Sequence, residues 1–109
     1  MLNPYAKLLL KVDVVSAIQQ IDRERQLAAV ADPRRLGILR ILMARPATIS
    51  QIGERLGKHP AWVRHHVLTL LDAGLVALPE ERQVRNYTEK YYSATSGAFE
   101  SHVLIAPAS

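Results

Sequence analysis

Three observations predict a mainly α domain with a small β-hairpin, of the α+β class. Pro33, Pro46, Gly57, Pro60, Gly74 and Pro79 cut the middle of the chain into short units whose apolar residues recur at helical spacing. After Gly74 the period shortens to that of strands. Before Pro33, no Gly or Pro interrupts the run from Tyr5 to Asp32, which is long enough for one continuous helix.

That first stretch carries Val14, Ile18, Ile21 and Ala28 at a/d-like spacing, so it reads as a helix that pairs with its own copy or lies over the domain as one more core helix. A rival local pattern exists: Leu8, Leu10, Val12 and Val14 alternate with Lys11 and Asp13, as an edge strand would. The next unit starts at Asp32-Pro33. An Asp side chain accepts an orphan backbone N–H there, and Pro at the first helical position loses no hydrogen bond. The helix predicted from Pro33 to about Arg45 is apolar on most sides, through Leu36, Ile38, Leu39, Ile41, Leu42 and Met43, and should be central.

Thr48 with Gln51 three residues on is a capping-box pattern opening a helix whose Ile49, Ile52 and Leu56 share one face, with Gly57 placed to close it in the left-handed conformation. Pro60 starts another, in which Val63, Val67, Leu70 and Leu71 form the buried stripe before Gly74 stops it. Two short helices around a Gly-containing turn are a helix-turn-helix, or a generic αα-hairpin of a small bundle. Their close approach favours a small residue such as Gly53. Beyond Gly74, the apolar run Leu75 to Leu78 and the aromatic, Thr- and Ser-rich run Tyr87 to Thr95 read as two antiparallel strands around a polar loop, Glu80 to Asn86, with Arg82 and Arg85 at its tip. A helix-turn-helix followed by such a hairpin is the winged version of the motif.

Composition narrows the function. The 109 residues form one domain, and a chain of this size buries roughly 60% of its unfolded surface without needing staples. With zero cysteines there is neither a disulfide framework nor a thiolate metal site. No apolar run approaches the roughly 18 residues of a membrane span, and no secretory segment is evident, so the expected location is cytoplasmic, with no membrane partner. The net charge is +4. From Pro33 to Leu71 seven basic residues, Arg34, Arg35, Arg40, Arg45, Arg55, Lys58 and Arg64, stand against the single acid Glu54, a net +6. A basic middle inside a slightly acidic remainder fits a double-stranded DNA partner, because Lys and Arg supply most non-specific affinity for phosphate; a solvated basic face is the bland reading. No Gly-rich phosphate loop, Cys nucleophile or metal-ligand spacing points to an enzyme, a cofactor or a metal.

The phrase Ala31-Asp32-Pro33-Arg34-Arg35-Leu36 followed by Ile38-Leu39-Arg40-Ile41-Leu42 resembles the opening of the central helix in the ArsR-type winged helix-turn-helix repressors. Ile49, Ile52, Leu56 and Gly57 match the first helix and turn of that family's motif; Val63, His66, Val67, Leu70 and Ala73-Gly74-Leu75-Val76 match its recognition helix and exit; Tyr91-Tyr92-Ser93-Ala94-Thr95 is similar to its return strand. The resemblance implies a sequence-specific transcriptional regulator binding operator DNA as a homodimer. It covers roughly Ala31 to Thr95, so the chain divides into an N-terminal helix (1–30), for dimerisation or core packing, a winged helix-turn-helix DNA-binding domain (31–95) and a C-terminal extension (96–109). The family's metal sensors carry Cys pairs where this chain has Ile49-Ser50-Gln51-Ile52, so any effector is something other than a thiophilic metal, and His102 has no partner at zinc spacing. Lys58 stands at a turn position where the family usually has an apolar residue.

On the recognition helix (about 60–73) the buried stripe leaves His59, Ala61, Trp62, Arg64, His65 and Thr69 facing outward. Arg64 can donate bidentately to guanine, and His65 can reach a base or a phosphate. Trp62 packs on a sugar or thymine methyl, or covers Leu56 as ordinary core. His66, matching a common family His, hydrogen-bonds a phosphate or is a satisfied structural His. Lys58 at the turn, and Arg82 and Arg85 on the wing (about 79–87), are expected on phosphates. The run Phe99 to Pro107 has strand character and packs on the dimer interface or opens a further α/β domain. The alternatives are a winged protein-interaction module and the DNA-binding fragment of a larger ligand-responsive regulator.

Overall fold

The computed structural model describes residues 4–99, with side chains from Val14 onward. Four helices precede one hairpin: α1 (Pro4–Ala31), α2 (Pro33–Ala44), α3 (Ile49–Leu56), α4 (Pro60–Asp72), β1 (Val76–Val84) and β2 (Tyr87–Ala94). The edge-strand reading of Leu8 to Val14 does not hold: those residues are helical, and the alternation is a short coincidence inside a 28-residue helix.

The helix ends follow the local chemistry. Asp32 caps α2, accepting from the Arg34 backbone N–H at 2.9 Å and from the Arg34 guanidinium at 2.8 and 3.0 Å. Thr48 and Gln51 close a reciprocal capping box at the start of α3, and Gly57 ends it at φ 65°. At the start of α4, His59 is the cap, its Nδ1 accepting from the Ala61 backbone N–H at 3.0 Å. Between α3 and α4 a Cβ on Gly53 would stand 2.7 Å from the Lys58 carbonyl oxygen, so only glycine permits this approach.

The core is one cluster centred on Ile38, Leu39, Ile52, Val63, Val67, Leu70 and Leu75, all fully buried. The last turn of α1 joins it through Ala29 and Val30, and Arg25 of α1 pairs with Asp72 of α4 at 2.6 Å. Upstream, α1 leaves Val14, Val15, Ile18 and Ile21 more than half exposed.

The hairpin differs from its expected form. Residues Glu80 to Val84, read as loop from their polarity, continue β1 and pair with β2 from Glu80↔Tyr91 to Val84↔Tyr87, leaving a two-residue turn at Arg85-Asn86. The polarity arises because this half of the hairpin projects away from the core and is mostly exposed. Arg85 takes the positive φ of the turn, 55°. At its base the hairpin is joined by an isolated bridge: Ala47 and Tyr92 exchange backbone hydrogen bonds at 3.1 and 2.9 Å, tying the α2–α3 connection to β2. After Thr95 the chain makes a helical turn over residues 96–99, which buries Ala98, so the strand expected from Phe99 begins in helix; its continuation, with His102, lies outside the described residues.

Candidate nucleic-acid interface

Helix α4 has two faces. Val63, His66, Val67 and Leu70 are buried, whereas Ala61, Arg64, His65 and Leu68, at i, i+3, i+4 and i+7, form an exposed stripe. Ala61, Arg64 and His65 therefore stand where the sequence places them. Leu68, 43% exposed, was overlooked because its apolar type reads as core.

Beside this stripe a groove of about 330 Å³ runs between the start of α3, α4 and the hairpin; Ser50, Arg64, Thr88 and Lys90 are among its lining, with one acid, Glu89, whose carboxylate accepts from the Tyr91 hydroxyl. Arg64 is thus directed to the space between helix and wing, next to a second cation on β2. Neither Lys90 nor Ser50 is legible as a site residue, because the pairing that brings β2 to the start of α3, the Ala47–Tyr92 bridge, joins residues far apart in the sequence.

The other expected contacts divide. Lys58 is exposed, and its ammonium lies 5.3 Å from the Trp62 ring centroid, which accounts for a cation at a turn position suited to an apolar residue. Trp62 is half-buried against the core, as the structural alternative has it, and its ring meets His66 edge-on at 4.6 Å between centroids. His59 is exposed but engaged as the α4 cap.

Four expectations need correction. His66 is 4% exposed, with Nδ1 buried and unpartnered, so it belongs to the core side of α4 and presents no surface to a phosphate. Burial, followed by the positive charges of Arg34 and His65, holds its pKa below the ordinary histidine value. Thr69 is half-buried beside Arg25 and Ala28 of α1, and its hydroxyl donates to the His65 carbonyl at 3.1 Å. Arg82 is three residues short of the turn and stacks over the Tyr91 ring at 4.0 Å, so Arg85 alone of the two wing arginines is at the tip. The basic count from Pro33 onward also omitted Asp32, which engages Arg34 and, at 3.4 Å, Arg35; these two cations serve the helix start.

Among the described residues no group of three or more His, Cys, Asp and Glu could hold a metal ion, and no helix is long and apolar enough to cross a membrane.

Residues 32–77 match the family described as "Bacterial regulatory protein, arsR family". No curated protein matches the sequence. Among solved structures, the fold is similar to a homodimeric winged helix-turn-helix DNA-binding domain from Mycobacterium bovis, a possible ArsR-family transcriptional regulator (23% identity, 82% of this chain and 80% of that one, TM-score 0.66). It is similar also to a transcriptional regulator homologue from Pyrococcus horikoshii (26% identity, 72% and 79%, TM-score 0.62) and to reduced HlyU from Vibrio cholerae (22% identity, 84% and 96%, TM-score 0.63). The matched segment runs from Asp32 to Ala77, so all of α1 and most of the hairpin lie outside it.

Proposed function

We propose that this chain, whose helix-turn-helix is of the arsR regulatory type, is a sequence-specific DNA-binding transcriptional regulator that engages operator DNA as a homodimer. The observation that carries this reading is the exposed stripe of α4 running beside a groove that contains Arg64 and Lys90. A helix face of that kind fits a major groove, with Arg64 at a base edge and Lys90 at its flank on an adjoining phosphate. Ala61, Arg64, His65 and Leu68 meet bases; Lys58, Lys90 and Arg85 meet the backbone. Residues 31–95 are the DNA-binding unit. The apolar residues left exposed on α1 support pairing through residues 1–30, and the similar M. bovis domain is described as homodimeric. A regulator of this kind acts in the cytoplasm and performs no enzymatic reaction.

Selection of genomic fragments by the purified chain at near-physiological salt tests the reading. Enrichment of an inverted repeat with half-sites about one helical turn apart is expected. Salt-sensitive retention of all fragments alike, with none enriched, would reduce the chain to a non-specific or protein-docking module.

A further inference from the structure

A second basic concavity lies apart from the groove of Arg64. Arg45 at the C-cap of α2, Arg55 in the last turn of α3 and Arg82 on β1 come from three elements to line one cavity of about 380 Å³, together with Gln51 and Tyr91. Ile41, Pro46 and Ala47 complete its wall, and it shares no lining residue with the first groove. That volume falls within the range of small-ligand sites.

The charge of Arg45 and Arg55 is uncompensated, with Glu80 and Glu89 only at the rim beside Arg82 and Tyr91. No acidic residue lines the cavity, and Arg45 and Arg55 have no ion-pair partner among the described residues. Arg82 alone has one nearby, Glu80, at 3.6 Å, and is held flat over Tyr91. Helix dipoles favour a cation at the end of α2 and another at the end of α3. They do not account for a third, brought from the hairpin to the same space. The polar rim is also organised: the Tyr91 hydroxyl donates to Glu89 at 2.8 Å, orienting the ring on which Arg82 rests.

We propose that this cavity binds a phosphate group, held by Arg45 and Arg55 from the helical body and by Arg82 from the wing. One guanidinium satisfies a planar carboxylate bidentately, whereas three arriving from separate elements suit a tetrahedral anion with oxygens in several directions. A phosphate seated there joins the hairpin to the helices, so its occupancy fixes the wing relative to α2 and α3. The group can belong to a small phosphorylated compound or to the backbone of a bound duplex. The lack of shared lining with the α4 groove favours the small compound. The site stands on this geometry and does not depend on the operator-binding reading.

Amide NMR of the full chain, titrated with inorganic phosphate against chloride at equal ionic strength, tests it. Saturable shifts are expected at Gln51, Arg55, Arg82 and Tyr91. Arg55→Gln and, separately, Arg45→Gln should each weaken the apparent affinity about tenfold, the loss of one charge-assisted hydrogen bond, with a dispersed spectrum elsewhere reporting an intact fold. Arg40→Gln, at an exposed cation that lines neither concavity, should leave it unchanged. Adding duplex separates the two sources: shifts that persist assign the site to a free phosphate compound, and shifts that duplex displaces assign it to the DNA backbone. Unsaturable drift at every basic residue, or equal affinity in wild type and both cavity variants, overturns the proposal.

Discussion

Gly53 and Gly37 show how differently one residue type serves within two neighbouring helices. A Cβ at Gly53 meets the Lys58 carbonyl at 2.7 Å, and the backbone it strikes is the turn itself. Gly53→Ala is therefore expected to destabilise the domain by about 1–3 kcal/mol in denaturant unfolding. Gly37 has nothing within 4 Å of the same position, so Gly37→Ala should stabilise α2 by about 0.5–1 kcal/mol. The sequence flagged Gly53 because two helices had to meet there; it carried no sign that Gly37 is dispensable. His66 is the other side chain whose role had to wait for its surroundings. Its lowered pKa means that the unfolded chain takes up a proton near pH 6.5 while the folded chain resists it, with Arg34, Arg35 and His65 opposing the added charge and Asp32 only partly offsetting them. Stability is thus complete above that pH and declines as the pH falls below it. Melting temperatures measured between about pH 7.5 and 5.5 should drop in the wild type, and His66→Leu should flatten the profile. An equally steep profile in the variant would place the sensitivity elsewhere.

The helices α2, α3 and α4 were legible because their ends are written in adjacent residues: Asp32-Pro33, Thr48 with Gln51, Gly57 and Pro60 each act within a turn of the chain. The hairpin was legible only as a hairpin. Its length is set by cross-strand pairing, and residues such as Glu81 and Gln83 form strand because β2 lies opposite, not because their type favours it. The groove beside α4 shares this difficulty, since β2, with Lys90, is anchored there by another long-range pairing, the Ala47–Tyr92 bridge. A pair of substitutions separates its two cations by role. Lys90→Ala should weaken specific and random duplexes alike and lower the salt slope by about one, whereas Arg64→Ala should cost about 1–3 kcal/mol more on the selected site than on random sequence. Equal losses for Arg64→Ala on both duplexes would make it a phosphate contact like its neighbour.

For the molecule as a whole, charge counted along the chain overstated what faces a partner, because Asp32 engages Arg34 and Arg35 at the helix start. Of the counted cations that remain, Arg64 lines one concavity and Arg45 and Arg55 another, while Arg40 and Lys58 line neither. The proposed dimer rests on α1, where Val14, Ile18 and Ile21 form an exposed apolar stripe too far upstream to reach the core that Ala29 and Val30 enter. Ile18→Glu should shift sedimentation from dimer to monomer without lowering helicity; a dimer that persists would place the contact elsewhere.

The bridge between Ala47 and Tyr92 also sets an order of events. Helices α2 to α4 meet through contacts close along the chain, but this pair of hydrogen bonds must wait until the whole helix-turn-helix and most of the hairpin have been brought back on themselves. Pulse-labelled hydrogen exchange during refolding should accordingly protect the Ile52 amide, inside α3, before that of Tyr92. In the native state the Tyr92 amide would then report the opening of the wing separately from global unfolding.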